Sequence, residues 1–147
     1  MTTVPFIRLA SDHPRALDVL GEKITVLASG EVTGGYEIFI QQADAGSGPP
    51  PHTHDWDESF YVLRGEIEFG VGTESMICGP GALAHVPGGT PHWFRFRTEG
   101  EMLSITSRLG ASRFFTDVDR ASPDGAPDLD RTIAVALSHG LTFPEAA

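Results

Sequence analysis

Two histidines and a glutamate lie close together in the sequence at spacings typical of a metal site. His52 and His54 are two residues apart, and Glu58 follows the second histidine after four residues. On a β-strand, side chains alternate between the two faces, so both imidazoles would point the same way. Imidazole nitrogens with a nearby carboxylate are ligands typical of divalent transition metals. The stretch 49–65 therefore predicts a metal site.

The chain around this stretch has the pattern of an all-β core. From Lys23 onward, short runs rich in β-branched and aromatic residues recur at a spacing of roughly 8–12 residues, with Gly, Pro or charged turns between them. Many short strands of this kind favour an antiparallel sandwich or barrel. The expected strands are 24–29, 36–42, 74–78, 82–86, 92–97 and 102–106, with a hairpin over 60–69 that turns near Gly65.

The expected organisation has three parts, an N-terminal segment 1–22, a barrel over 23–108 and a C-terminal tail over 109–147. Within the N-terminal segment, residues 11–21 have the pattern of a short capped helix that ends at a glycine. Within the tail, residues 113–118 have the pattern of one helical turn.

The tail also predicts a longer helix over about residues 127–139. Leu129, Ile133 and Leu137 recur every four residues, acidic residues occupy the first turn, and Gly140 follows as a C-cap. We expect the apolar stripe of this helix to pack on the barrel exterior or on a partner subunit.

Length and charge limit the classes of function. The 147 residues fit one domain with a full core, and no apolar run approaches the roughly 20 residues that a membrane span requires. The net charge of −10 would repel a phosphate backbone, so nucleic acid is not expected as a partner. The first residues lack a secretory pattern, and Cys78 is the only cysteine. We therefore expect a cytoplasmic protein that acts on a small molecule.

A second stretch, 81–92, contains a tight turn at Pro87-Gly88-Gly89, and His92 opens the next strand. Together the two stretches resemble the two motifs of the cupin superfamily, G-x5-H-x-H-x3,4-E-x6-G and G-x5-P-x-G-x2-H-x3-N. The matching residues are Gly46, His52, His54, Glu58 and Gly65 in the first motif, and Gly81, Pro87, Gly89 and His92 in the second.

The resemblance implies a fold and a metal. The fold would be the cupin double-stranded β-helix, a jelly-roll barrel of antiparallel strands, here with a short C-terminal helix. One metal ion would be bound inside the barrel by His52, His54, Glu58 and His92. Three imidazoles and a carboxylate suit Fe, Mn, Ni, Co or Zn and do not select among them. The alternative is a cupin scaffold that has lost its metal, although no ligand of the motif is missing.

The asparagine that closes the second motif is Phe96 in this chain. Strand alternation places Phe94 and Phe96 on the face of His92, and Phe60 on the face of Glu58. These three rings are predicted to line an apolar substrate pocket, although Phe96 is equally well explained by core packing. The roles of two further residues stay open. His85 is a candidate either for supporting a metal ligand or for lining the pocket, and Trp56 is a candidate either for stacking on the substrate at the pocket mouth or for packing at the rim.

Within the superfamily, the runs PPPHTH (49–54) and ESFYVLRGE (58–66) are most similar to single-domain quercetin 2,3-dioxygenase-like cupins. That resemblance implies a planar enol or flavonol-like substrate, with Glu58 as the catalytic base that deprotonates it before dioxygen reacts. Two alternatives remain, a metal-dependent isomerase or lyase of a small polar metabolite, and a non-catalytic ligand-binding cupin. By analogy with small cupins, a homodimer is expected.

Overall fold

Nine antiparallel β-strands form the body of the chain in a computed structural model that describes residues 3–108, 110–122 and 126–144. One sheet has six strands in the order β1-β2-β3-β9-β4-β7, and the other has three in the order β6-β5-β8. The strands are β1 Leu17–Val19, β2 Glu22–Ala28, β3 Tyr36–Ala43, β4 Glu58–Arg64, β5 Ile67–Val71, β6 Glu74–Cys78, β7 Leu83–Val86, β8 His92–Phe96 and β9 Gly100–Ser107. The predicted all-β jelly-roll architecture is confirmed.

Strand alternation determines which side chains face the interior. On β4, Glu58, Phe60 and Val62 are buried, whereas Tyr61 and Leu63 are exposed. The same period of two runs along β3, β8 and β9, as expected for strands with one face on a core. The buried residues therefore fill the space between the two sheets.

The predicted hairpin over residues 60–69 is wrong. The chain does turn at Gly65, which has a positive φ of 81°, but β4 pairs with β7 and β9 whereas β5 pairs with β6 and β8. Glycine is required at this turn, since a Cβ there would lie 2.5 Å from the carbonyl oxygen of Glu99. The turn thus carries the chain from one sheet to the other.

The helix expected over residues 11–21 is replaced by a single 3-10 turn, Ala10–Asp12, followed by strand β1. Leu20 and Gly21 both have positive φ and form the two-residue turn between Val19 and Glu22, which are paired across β1 and β2. Backbone pairing with β2 outweighs the weak helical preference of this segment. One further turn of helix, α1 Gly30–Thr33, separates β2 from β3.

Two helices follow the sheets, α2 Gly110–Ala121 and α3 Leu129–Ser138. The one turn predicted at 113–118 is therefore a three-turn helix. It packs on the six-stranded sheet, where the rings of Phe39 and Phe115 meet edge to face at 5.1 Å. His139 Nε2 lies 2.7 Å from Asp117 Oδ2 and joins the end of α3 to α2.

The apolar stripe of α3 does not pack on the barrel exterior as expected. Leu129, Ile133 and Leu137 are 62%, 40% and 57% exposed, and Thr132 and Ala136 are the buried residues of the helix. The alternative, that a partner subunit covers the stripe, stays a prediction. No helix in the described ranges is long and apolar enough to cross a membrane.

Candidate metal centre

The two sequence motifs meet through a pair of backbone hydrogen bonds. The amide of His52 donates to the carbonyl of His92, the amide of His92 donates back, and both N···O distances are 3.0 Å. This bridge brings the two imidazole rings within 4.2 Å, centroid to centroid. Thr53, which points the opposite way, makes the same reciprocal pairing with Thr142 beyond α3. The C-terminal tail is thereby fastened beside the histidines.

Each imidazole is oriented by a hydrogen bond from Nδ1 to a backbone carbonyl oxygen. The acceptors are Pro50 for His52 (2.9 Å), Trp56 for His54 (3.0 Å) and Thr90 for His92 (2.8 Å). A carbonyl oxygen only accepts, so Nδ1 carries the hydrogen in all three rings. In the neutral form, each Nε2 then presents its lone pair, as in histidines that bind metals.

The three imidazoles converge on one point. Their ligand nitrogens lie within 4.8 Å of one another, and all three residues are buried. Glu58 Oε1 lies 3.3 Å from His54 Nε2 and 3.5 Å from His92 Nε2. His92 Nε2 is buried and has no hydrogen-bond partner among the described residues. An unsatisfied buried nitrogen is costly, and a cation bound between these residues would satisfy it.

The protonation states suit a cation as well. Burial and the neighbouring His92 lower the pKa of His52 to about 4, so this ring is neutral at neutral pH. Burial alone would raise the pKa of Glu58, but the adjacent imidazoles of His54 and His92 outweigh this effect and lower that pKa to about 2. The site thus offers a neutral imidazole beside an ionised carboxylate.

The turn of the second motif supports the segment that carries His54. The Gly89 amide donates to the carbonyl of His54 at 2.7 Å, and the Gly88 amide donates to Asp57 Oδ1 at 2.8 Å. A Cβ on Gly88 would lie 2.5 Å from the carbonyl oxygen of Asp55. The close approach of these two loops accordingly requires glycine at position 88.

A cavity of about 510 Å³ is lined by His52, His54 and Glu58. Its walls are mainly apolar, and no Lys or Arg is among the described residues that line it. Trp56 lies in its wall and stacks on His54 with ring centroids 4.2 Å apart and planes 9° from parallel. A largely apolar cavity with a few convergent polar groups is typical of a small-molecule site.

Of the three phenylalanines predicted to line the pocket, Phe94 lies in the cavity wall. Phe60 and Phe96 are 1% and 0% exposed and belong to the hydrophobic core between the sheets. His85 is on the outer face of β7, where its Nδ1 lies 2.9 Å from Ser59 Oγ. The replacement of the motif asparagine by Phe96 therefore adds to the core, not to the wall of the cavity.

Several cavity residues lie outside the two motifs. Glu22 and Gln41 contribute polar groups, and helices α2 and α3 contribute apolar ones such as Phe115 and Ile133. The position of Glu22 could have been noticed in the sequence, because it is two residues before Ile24 and shares its buried face. Nothing in the local sequence indicates that the helices reach the cavity.

Comparison with known proteins agrees with this geometry. Residues 39–106 match the family model described as a cupin domain. The chain is 32% identical to quercetin 2,3-dioxygenase of Bacillus subtilis over 117 residues. This aligned region covers 77% of this chain and 34% of that protein. It is 38% identical to acireductone dioxygenase of Saccharopolyspora erythraea over 72 residues, and this aligned region covers 46% of this chain and 34% of that protein. The chain thus spans about a third of the length of these relatives.

The fold agrees with a solved structure. KdgF from Halomonas sp. superposes with a TM-score of 0.63 at 20% identity, over 71% of this chain and 94% of that one. The strand topology, both histidine motifs and these similarities lead to one conclusion: the chain belongs to the cupin superfamily.

Proposed function

We propose that the chain is a metal-dependent dioxygenase that acts on an aromatic or enolic, flavonol-like compound. One observation carries the proposal: three imidazoles and one ionised carboxylate converge beside a largely apolar cavity, which His52, His54 and Glu58 line. Such a cavity suits a planar apolar substrate whose oxygens reach the metal centre. Both curated relatives named above are dioxygenases, which supports the same reaction class.

The proposed ligands of the metal are His52, His54, Glu58 and His92, and the ion is one of Fe, Mn, Ni, Co or Zn. A divalent ion bound there would act as a Lewis acid and make a hydroxyl of the substrate easier to deprotonate. The three carbonyl contacts at Nδ1 hold the rings in the orientation that binding requires. Little reorganisation of the protein is then needed when the ion binds.

In this proposal Glu58 is the catalytic base. Its carboxylate is ionised and buried beside the histidines, so it can accept the proton of a substrate hydroxyl at a carboxylate oxygen. Trp56 and Phe94 lie in the cavity wall and offer aromatic faces to a planar ring. Glu58 is only 6% exposed, so its carboxylate has little contact with solvent.

The absence of Lys and Arg from the described lining favours this function over an isomerase or lyase of an anionic metabolite. A carboxylate or phosphate in a cavity of this kind would lack a cationic partner apart from the metal, which costs binding energy. A non-catalytic binding role predicts ligand binding without oxygen consumption, and the experiment below separates the two.

The test is oxygen uptake by protein loaded separately with each of the five metals and supplied with a panel of flavonols. We expect uptake with at least one metal, and a loss of about 100-fold or more in kcat for Glu58→Gln with metal content retained. Glu74→Gln, an exposed glutamate on β6, is the matched control and should behave like the wild type. Full activity of Glu58→Gln, or no uptake by any metal-loaded form, would contradict the proposal.

We also propose that the protein is a homodimer, and the outer face of the six-stranded sheet supports this, as argued below. A cytoplasmic location stays a prediction from the sequence.

A further inference from the structure

Glu22 is a buried carboxyl of the cavity that the proposed metal site does not use. It is 6% exposed and begins β2 directly after the tight turn at Leu20 and Gly21. It lines the same cavity as His52 and Glu58. Carboxyls are rarely buried to this extent unless they are fully paired or have a task, so its contacts are informative.

One oxygen of Glu22 is held in place by a relay of two hydrogen bonds. Gln41 Nε2 donates to Glu22 Oε1 at 3.0 Å, and Ser104 Oγ donates to Gln41 Oε1 at 2.7 Å. In this arrangement the NH₂ end of the Gln41 amide faces Glu22 and its oxygen faces Ser104. Glu22 Oε2 has no hydrogen-bond partner in the part of the chain that the structure describes.

A second buried glutamate of the same sheet shows the contrast. Glu37 is 0% exposed, and both of its oxygens are used: Oε1 accepts from the Ser112 amide, and Oε2 accepts from the Gly30 amide and the Ser112 hydroxyl. That carboxyl ties α2 to the sheet and is accounted for by structure alone. In Glu22, by contrast, only Oε1 accepts a hydrogen bond, and the residue lines the cavity.

The surroundings of Glu22 favour its neutral form. Burial raises its pKa to about 8 despite the hydrogen bond from Gln41. No Lys or Arg in the described lining offsets this. A neutral carboxyl whose Oε1 accepts from Gln41 carries its hydrogen on Oε2 and is a hydrogen-bond donor.

We propose that Glu22 is a specificity-determining residue whose Oε2 donates a hydrogen bond to a substrate oxygen other than those at the metal centre. The inference rests on the proposed function and narrows its substrate class. The preferred compound carries at least one hydroxyl group beyond the enol and ketone pair. Gln41 and Ser104 are positioning residues, because they act on the substrate through Glu22.

The first test compares anaerobic binding of quercetin and 3-hydroxyflavone to metal-loaded protein, since 3-hydroxyflavone lacks the further hydroxyl groups that quercetin carries on its outer rings. The wild type should prefer quercetin. In Glu22→Met, which is similar in size but has no donor, that preference should fall by about 3- to 10-fold, the worth of one net hydrogen bond. Glu22→Gln should keep the preference, since its amide can accept from Gln41 and donate into the cavity.

The outcomes separate the two proposals. Binding of neither compound by metal-loaded wild type refutes the proposed function, and this inference with it. Binding by the wild type with an unchanged preference in Glu22→Met, or with equal losses in Glu22→Met and Glu22→Gln, overturns the role of Glu22 alone. Metal content and circular dichroism of each variant show whether the site and fold are intact.

A second measurement uses the wild type and does not depend on the Met variant. Infrared difference spectra of the metal-loaded protein with and without quercetin should show a C=O stretch of a protonated carboxylic acid that shifts on binding. The band should be missing in Glu22→Gln. A spectrum without such a band, or a band that ligand binding does not move, would overturn the proposal.

Discussion

Each imidazole of the candidate centre is oriented by a carbonyl only two residues away in the chain, at Pro50, Trp56 and Thr90. The tautomer of each ring is therefore set by local backbone geometry. The convergence of the rings is not local, because it depends on the backbone bridge between His52 and His92. Local geometry thus prepares each ligand, and the fold brings the ligands together.

Glu22 gives a prediction about pH and stability in the metal-free protein. Its pKa rises from an ordinary 4.5 to about 8 on folding. Between these values the unfolded chain has lost the proton and the folded chain keeps it, so the folded state loses stability as the pH rises. Relative to Glu22→Gln, which does not titrate, the wild type should lose on the order of a few kcal/mol of unfolding free energy across this window.

Urea unfolding of both proteins at about pH 5 and about pH 8 measures this difference. Below the lower pKa both states are protonated, and above the upper one both are ionised, so the difference should level off at each end. A difference that stays constant from about pH 5 to about pH 8 would show that Glu22 ionises normally in the folded protein.

For single residues, the sequence predicts site members that are identified by short spacing and strand alternation. It misses those whose role depends on distant parts of the chain. His52, His54 and Glu58 are recognisable because their spacing is short and strand alternation aligns them. Glu22 was assigned to an N-terminal segment, since its importance depends on Gln41 and on a cavity formed by distant parts of the chain. Phe60 was assigned to the right face of its strand, but alternation does not reveal how deep along the barrel a ring lies.

Secondary-structure elements also differ in how well the sequence predicts them. The strands around both motifs were predictable because alternating burial is written in the sequence of each strand. Strand β1 was mistaken for a helix, and β4 and β5 for a hairpin, since pairing partners are chosen in three dimensions. A glycine turn such as the one at Gly65 indicates a change of direction, but not the sheet in which the next strand lies.

Helix α3 gives a prediction at the scale of elements. Ile133 lines the cavity, whereas Leu137, one turn later on the same apolar stripe, does not. Ile133→Ser should weaken anaerobic binding of a flavonol to metal-loaded protein by roughly 3- to 10-fold, because it removes apolar contact from the cavity wall. Leu137→Ser is the matched control and should leave the affinity unchanged. Titration of ligand absorbance measures both.

Both residues are substantially exposed, so neither substitution should change stability by more than a few tenths of a kcal/mol. Equal effects of the two variants on affinity would mean that α3 influences the cavity only through its general packing. An effect confined to Ile133→Ser would show that the C-terminal helix contributes to the substrate site, although it lies outside both motifs.

At the scale of the whole molecule, each sheet packs against the other through one face only, so its other face is left uncovered by the opposite sheet. The outer face of the six-stranded sheet carries apolar side chains on neighbouring strands, where the exposed Tyr61 of β4 is opposite the exposed Leu83 of β7 and the half-buried Leu103 of β9. Tyr61, Leu83 and Ile105 are 43%, 66% and 43% exposed. Adjacent apolar residues on a flat sheet face are typical of an interaction surface. A second copy of the chain offers a partner with the same surface, as two-fold symmetry requires.

A charge at the centre of this face tests the proposed homodimer. Tyr61→Glu would place an unpaired carboxylate in the interface and should weaken association by roughly 30-fold or more, so that light scattering after size exclusion reports the mass of one chain instead of two. The control is Met76→Glu, since Met76 is 70% exposed on the other sheet and should leave the dimer intact. Tyr61 points away from the cavity, so metal content should be unchanged in both variants. A monomeric wild type, or a Tyr61→Glu variant that stays dimeric, would exclude this face as the dimer interface.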